Sequence, residues 1–147
     1  MRYFEDFQVG DVYDLGSRTV SKEEILDFAR QYDPQYFHVD EERAKESIYG
    51  GLIASGWHTA AMTMRLACEA IVLQSASMGS PGLDELRWVR PVRPGDTLHA
   101  RMEILAARAS QSKPDRGIVH SQVIVTNQDD DPVLTWKAMG MYRCRPE

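Results

Sequence analysis

The sequence predicts an α+β domain in which an antiparallel sheet wraps around one long central helix. A helix-compatible stretch runs from Leu52 to about Leu73 and is apolar nearly all round, so we expect it to be buried. Four strand-like segments follow it in succession, and successive strands joined by short turns form an antiparallel sheet. Such a sheet has one face to bury, and this helix is the one element able to cover it.

The segments before the long helix predict a strand and a short helix. Val12 to Val20 has a strand-like composition and follows a turn. Ser21 and Glu24 have the spacing of a capping box and predict a helix start, with apolar residues following at helical spacing. Pro34 ends this helix and pushes Asp33 out of the α region. We expect a loop from Asp33 to Val39 and a chain break at the following glycine pair.

The C-terminal half carries the strand signals. Alternating apolar residues and β-branched runs, separated by turn segments rich in Pro, Gly, Asn and Asp, predict strands near residues 86–92, 98–104, 118–126 and 133–142. The chain holds no internal repeat and no linker, so residues 1–147 are predicted to form a single domain.

Composition narrows the functional class. The net charge of −5 argues against nucleic acid as a partner, because binding to phosphates requires a basic surface. No apolar run approaches the roughly 18 residues that a membrane helix needs, and the N-terminus lacks a signal-peptide pattern. Cys68 and Cys144 are isolated and predict free thiols in a cytoplasmic protein with no metal site.

An acid and an imidazole lie five residues apart, at Asp33 and His38. A carboxylate and a neutral imidazole can hold one water between them and share its protons, as general acid–base catalysis requires. The simpler alternatives are that Asp33 caps a turn and that His38 is a buried core residue.

The glycine pair Gly50 and Gly51 is expected to open the long helix, whose unpaired N–H groups would polarise a carbonyl. The alternative for this glycine pair is a flexible turn.

Other polar residues have weaker signals. Arg87, Arg90 and Arg93 suit phosphate groups, although a solvent-exposed strand face is the favoured explanation for them. His58 lies in the buried helix and is expected to be structural. His99, like His120, lies in a predicted strand with no evident acidic partner.

Three segments in this order, Phe28–Asp40, Gly50–Gly56 and Val89–Asp96, resemble the MaoC-like dehydratases, a hot-dog-fold family that includes (R)-specific enoyl-CoA hydratases. The resemblance implies catalytic roles for Asp33 and His38, an oxyanion-binding N–H at Gly51 and a supporting hydroxyl near Thr59. The sequence departs from the family motif Asp-x-Asn-Pro-x-His, because Gln35 replaces the asparagine and Tyr36 the proline. These departures put the substrate in doubt while leaving the acid and the histidine in place.

The resemblance implies an enzyme that adds water to a trans-2-enoyl-CoA to give an (R)-3-hydroxyacyl-CoA, or that catalyses the reverse dehydration. It implies no cofactor beyond coenzyme A as part of the substrate, although an acyl carrier protein is an alternative carrier. The predicted substrate-binding residues are Gln35, Tyr36, Gly50, Thr59 and Arg90. We also expect a homodimer, or a dimer of dimers, with the substrate tunnel at the interface.

Two other functions remain open at this point. An acyl-CoA thioesterase on this fold usually has an acid on the central helix, but Glu69 lies too far along the helix to sit beside Gly51. A non-catalytic acyl-binding protein is the other alternative, and the intact pair of Asp33 and His38 argues against it.

Overall fold

The computed structural model describes residues 1–147 and confirms the α+β prediction. Five antiparallel strands form one sheet in the order β1-β3-β4-β5-β2. The strands are β1 (Val12–Thr19), β2 (Gly82–Trp88), β3 (Thr97–Ala109), β4 (Arg116–Thr126) and β5 (Pro132–Arg143). The helices are α1 (Lys22–Tyr32), α2 (Tyr36–Val39), α3 (Glu41–Ala44) and α4 (Gly56–Ala70). The sheet wraps around α4, which is the hot-dog fold.

Helix α4 is the central helix, and it is shorter than the sequence suggests. It begins at Gly56 with Ser55 as its N-cap, so the prediction of a helix from Leu52 is wrong. The preceding residues are not helical, and their backbone forms hydrogen bonds to other segments. The N–H of Ile53 donates to the carbonyl of Phe37, and the N–H of Ala54 donates to that of Val92. A 3₁₀ turn, Val72–Gln74, follows the helix.

Helix α1 follows its local signals closely. Ser21 accepts from the N–H of Glu24, and the Glu24 carboxylate reaches back to the N–H of Ser21, as the capping box predicts. Asp33 is the C-cap, with φ −153° and ψ 69°, so the helix ends where Pro34 requires it to end. The predicted loop from Asp33 to Val39 is only partly correct, because Tyr36–Val39 forms a single helical turn.

Strand β2 differs most from the prediction. It begins at Gly82 and ends at Trp88, so Arg90 and Arg93 lie beyond the strand rather than on it. It pairs with β5 at one edge of the sheet and not with β3, the next strand along the chain. The reason is that β1 and β4 already occupy the two sides of β3.

The core lies between α4 and the concave face of the sheet. Its largest fully buried side chains come from both layers and from the connecting segments, and include Ile25, Ile71, Leu98, Ile104 and Leu134. None of the helices is both long and apolar enough to cross a lipid bilayer.

Candidate active site

The carboxylate of Asp33 is held at the end of α1 by two side-chain donors. The backbone N–H of Asp33 donates to the carbonyl of Ala29 at 2.8 Å and fixes the residue against the helix. Ser55 Oγ donates to Asp33 Oδ2 at 2.7 Å, and Gln35 Nε2 donates to Asp33 Oδ1 at 2.7 Å. The side chain therefore has a fixed orientation.

His38 completes the pair from the single turn α2. Its Nε2 lies 3.3 Å from Asp33 Oδ2, and the histidine is 4% exposed. Its Nδ1 lies 2.8 Å from the carbonyl oxygen of Ile53. Because a carbonyl only accepts hydrogen bonds, Nδ1 carries the proton and Nε2 is the nitrogen that faces Asp33. Nε2 is therefore the imidazole nitrogen directed at the carboxylate.

The carboxyl of Asp33 is biased toward its charged form. Burial acts to raise its pKa, but the hydrogen bonds from Ser55 and Gln35 and the nearby charge of His38 outweigh burial. The pKa of Asp33 is consequently lowered from its ordinary value of 3.8. Near neutral pH the residue is a carboxylate.

Asp33 and His38 form part of the wall of a cavity of about 540 Å³. Among the residues predicted to bind substrate, Gln35, Thr59 and Arg90 line this cavity. Tyr36 does not, because its ring packs against Phe37 and lies 4.7 Å beneath the guanidinium of Arg43.

Gly50 and Gly51 also lie outside the cavity lining. The prediction that they open the central helix is wrong, because the helix begins at Gly56 and residues 52–55 are not helical. Gly50 instead has φ +67° in a turn, where its N–H donates to the carbonyl of Ser47. The alternative of a turn is therefore the one that the structure supports.

The first N–H of the central helix belongs to Gly56, which lines the cavity. This N–H has no hydrogen-bond partner, whereas the next one, from Trp57, donates to Ser55 Oγ at 3.2 Å. The positive end of the helix dipole lies at the same point. An unpaired donor of this kind binds a carbonyl or an oxyanion.

The three candidate arginines have different environments. Arg90 lines the cavity, with its Nη1 3.8 Å from Asp131 Oδ2 on the surface. Arg93 Nη2 donates to the carbonyl of Tyr49 at 2.6 Å, and Arg87 Nη1 donates to the carbonyl of Leu86 at 3.1 Å. Arg90 is thus the arginine placed to meet a ligand in the cavity.

Two further histidines lie outside the cavity. His99 was expected to have no acidic partner, and this is wrong, since its Nε2 lies 2.7 Å from Asp14 Oδ1 on the neighbouring strand. His58 is buried and stacks on Phe28, with the ring centroids 4.7 Å apart. Its Nδ1 has no partner, and burial lowers its pKa from 6.5.

A family model described as "MaoC like domain" matches residues 6–127. The chain belongs to the MaoC-like family. A solved structure of a MaoC-like dehydratase from Rhodospirillum rubrum superposes on it with a TM-score of 0.92, at 43% identity, and covers 100% of both chains. The Bacillus subtilis protein YdeM, itself described as uncharacterized, is 36% identical over 88% of this chain and 91% of its own length. The 3-hydroxyacyl-thioester dehydratase Z of Mycobacterium tuberculosis is 32% identical over 59% of each chain.

In this MaoC-like domain, sequence reasoning missed three residues of the site. Ser55 holds the carboxylate, Gly56 supplies the free N–H, and Trp88 lines the cavity beside Gly56. For Ser55 and Gly56 the sequence did offer a signal, because serine is a common N-cap residue and could have located the helix start at Gly56. Trp88 had no local signal, because 32 residues separate it from Gly56.

A second cavity, of about 410 Å³, lies between α4 and the concave face of the sheet in this MaoC-like domain. Its lining is mostly apolar and includes Ala60, Met64, Met102 and Trp136. Helix α4 contributes to both cavities, with Thr59 lining the first and Ala60 the second. No group of three or more His, Cys, Asp or Glu side chains in the chain is arranged to hold a metal ion.

Proposed function

We propose that this protein adds water to the double bond of a trans-2-enoyl thioester, or removes it from the 3-hydroxyacyl thioester. The observation that carries the proposal is the close pair of Asp33 and His38 on the wall of a cavity that is also lined by Gly56, whose N–H has no hydrogen-bond partner. Relatives described as dehydratases, one of them acting on 3-hydroxyacyl thioesters, support the same reaction class.

The thioester carbonyl accepts a hydrogen bond from the N–H of Gly56. This bond strengthens as negative charge develops on the oxygen, and it stabilises the enolate that forms when water attacks C3. The oxyanion role therefore moves from Gly51 to Gly56, the residue at the true helix start.

Asp33 and His38 act together on the attacking water. The carboxylate of Asp33 accepts one of its hydrogens, and Nε2 of His38 accepts the other. As the water oxygen bonds to C3, one proton passes to this pair, and C2 receives a proton in return, so the enzyme ends the cycle unchanged. By resemblance to the family, the product has the (R) configuration.

Other cavity residues have supporting roles in this proposal. Gln35 orients the carboxylate of Asp33, and the hydroxyl of Thr59 contributes to the polar wall. Arg90 meets a phosphate of coenzyme A, because a guanidinium pairs well with phosphate oxygens. The apolar second cavity suits the acyl chain.

We also propose that the protein is a homodimer, alone or as half of a dimer of dimers. The outer edge of β2 has no partner strand, and exposed apolar side chains lie on β2 and α4, namely Trp57, Met64, Leu83 and Trp88. Met64 and Leu83 also line the second cavity, which therefore opens on this apolar face. A second copy pairing along β2 would cover the face and close that cavity.

The reaction is tested by incubating the protein with crotonyl-CoA and longer trans-2-enoyl-CoAs. We expect the enoyl absorbance to fall, a 3-hydroxyacyl-CoA of (R) configuration to form, and no free thiol to appear. Thiol release without hydration would indicate a thioesterase instead. The structure does not favour that alternative, because Glu69 pairs with Arg65 on the exposed side of α4, outside the cavity lining.

A further inference from the structure

Position 56 requires a glycine because a side chain there would collide with a neighbouring residue. Its backbone is not in the left-handed region that favours glycine. A Cβ at this position would instead lie 2.3 Å from Cε2 of Trp88 and 2.5 Å from Cδ2, much closer than carbon atoms can approach. The indole ring of Trp88 is therefore pressed against the Cα of Gly56.

Trp88 also holds Gly56 by a hydrogen bond. Its Nε1–H donates to the carbonyl oxygen of Gly56 at 2.8 Å. The residue at the start of α4 is thus fixed twice by one side chain, through its carbonyl and through its Cα.

The backbone of Trp88 is itself well anchored. The residue ends β2 opposite Leu134 of β5, and the next N–H, from Val89, donates to the carbonyl of Val133 at 2.9 Å. The ring of Trp57 packs edge-on against Trp88, with centroids 5.1 Å apart. The sheet therefore determines where the indole sits, and the indole determines where Gly56 sits.

We propose that Trp88 is the positioning residue for the oxyanion-binding N–H of Gly56. This inference rests on the proposed function, in which that N–H polarises the thioester carbonyl. A displacement of a donor by a fraction of an ångström weakens its bond to the developing oxyanion more than it weakens substrate binding. Loss of the indole bond should consequently lower kcat and leave KM nearly unchanged.

The test replaces Trp88 with phenylalanine, and separately with benzothienylalanine, which keeps a bicyclic aromatic ring and has a sulfur atom in place of the N–H. Tyr13→Phe is the control, because it also removes one aromatic hydrogen-bond donor, the hydroxyl that bonds to Asp11 Oδ2 at 3.3 Å, and Tyr13 lies on β1 outside the cavity lining. We expect both changes at position 88 to lower kcat on the order of 10- to 100-fold, with KM and the thermal unfolding midpoint close to those of the control.

A second readout does not require turnover. Crotonyl-CoA labelled with ¹³C at its carbonyl is bound to the Asp33→Asn protein, and the infrared carbonyl band is compared with that of the free thioester. We expect a shift to lower frequency that shrinks when position 88 is changed and persists in Tyr13→Phe. An unchanged band and unchanged kcat after both substitutions at Trp88, or no shift in the parent complex, would overturn the inference. A wild-type protein that shows the shift but no hydration would refute the proposed function alone.

Discussion

Ser55 has two roles at the residue scale. Its hydroxyl accepts from the N–H of Trp57 as the N-cap of α4 and donates to the carboxylate of Asp33. The same side chain therefore ties the helix start to the candidate catalytic acid. Asp33 and His38 could be predicted from sequence because five residues separate them, whereas the contact between Ser55 and Asp33 joins residues 22 positions apart.

We predict that Ser55→Ala shifts the acidic limb of the pH profile of kcat/KM to higher pH. Asp33 acts as a carboxylate, so activity is lost as pH falls through its pKa. The wild-type pKa is lowered below 3.8, and removal of the Ser55 hydrogen bond raises it. Ser21→Ala is the control, because it also removes an N-cap, at a cost of about 1 kcal/mol, without touching Asp33. Identical pH profiles for the two variants would contradict this role.

At the scale of the elements, local signals predicted α1 and failed at the start of α4. The capping box of Ser21 and Glu24 lies within one helical turn, so the sequence specifies it alone. The segment before Gly56 is apolar and helix-compatible, but its N–H groups bond to Phe37 and Val92 in other parts of the chain. Such tertiary bonds override local propensity, and no local pattern encodes them.

We predict that Gly56→Ala destabilises the protein by roughly 1–3 kcal/mol, because the new methyl group meets the ring of Trp88 and forces it to move. Gly51→Ala is the control, since its nearest neighbour atom would lie 3.5 Å away, an ordinary contact, and its stability should change little. Denaturant unfolding of both variants measures the difference. Equal stability of the two would show that the indole does not constrain Gly56.

At the scale of the whole molecule, the candidate site combines the end of α1, the turn α2, the start of α4 and the segment after β2. The sequence predicted the sheet and its central helix because hydrophobic periodicity reports burial. It did not predict that β2 lies at the far edge beside β5, since strand order depends on which edges the other strands occupy. The positions of Trp88 and Arg90 at the cavity follow from that strand order.

We predict a dimeric mass by size exclusion with light scattering at micromolar concentration. Leu83→Lys should shift the protein toward monomer, because it places a charge on the exposed apolar face at the free edge of β2. Val12→Lys is the control, because Val12 is also exposed but lies on β1 at the opposite edge of the sheet. A monomeric wild type, or a dimer that Val12→Lys disrupts and Leu83→Lys does not, would contradict this interface.

The central claim is that Asp33 and His38 act together as the acid–base pair of an enoyl-thioester hydratase. The most direct measurement is the rate of loss of enoyl absorbance from a trans-2-enoyl-CoA, with the wild type compared with Asp33→Asn and His38→Ala. We predict that each change lowers kcat by about 10²- to 10⁴-fold while the fold stays intact by circular dichroism. Hydration at the wild-type rate in either variant would contradict the account.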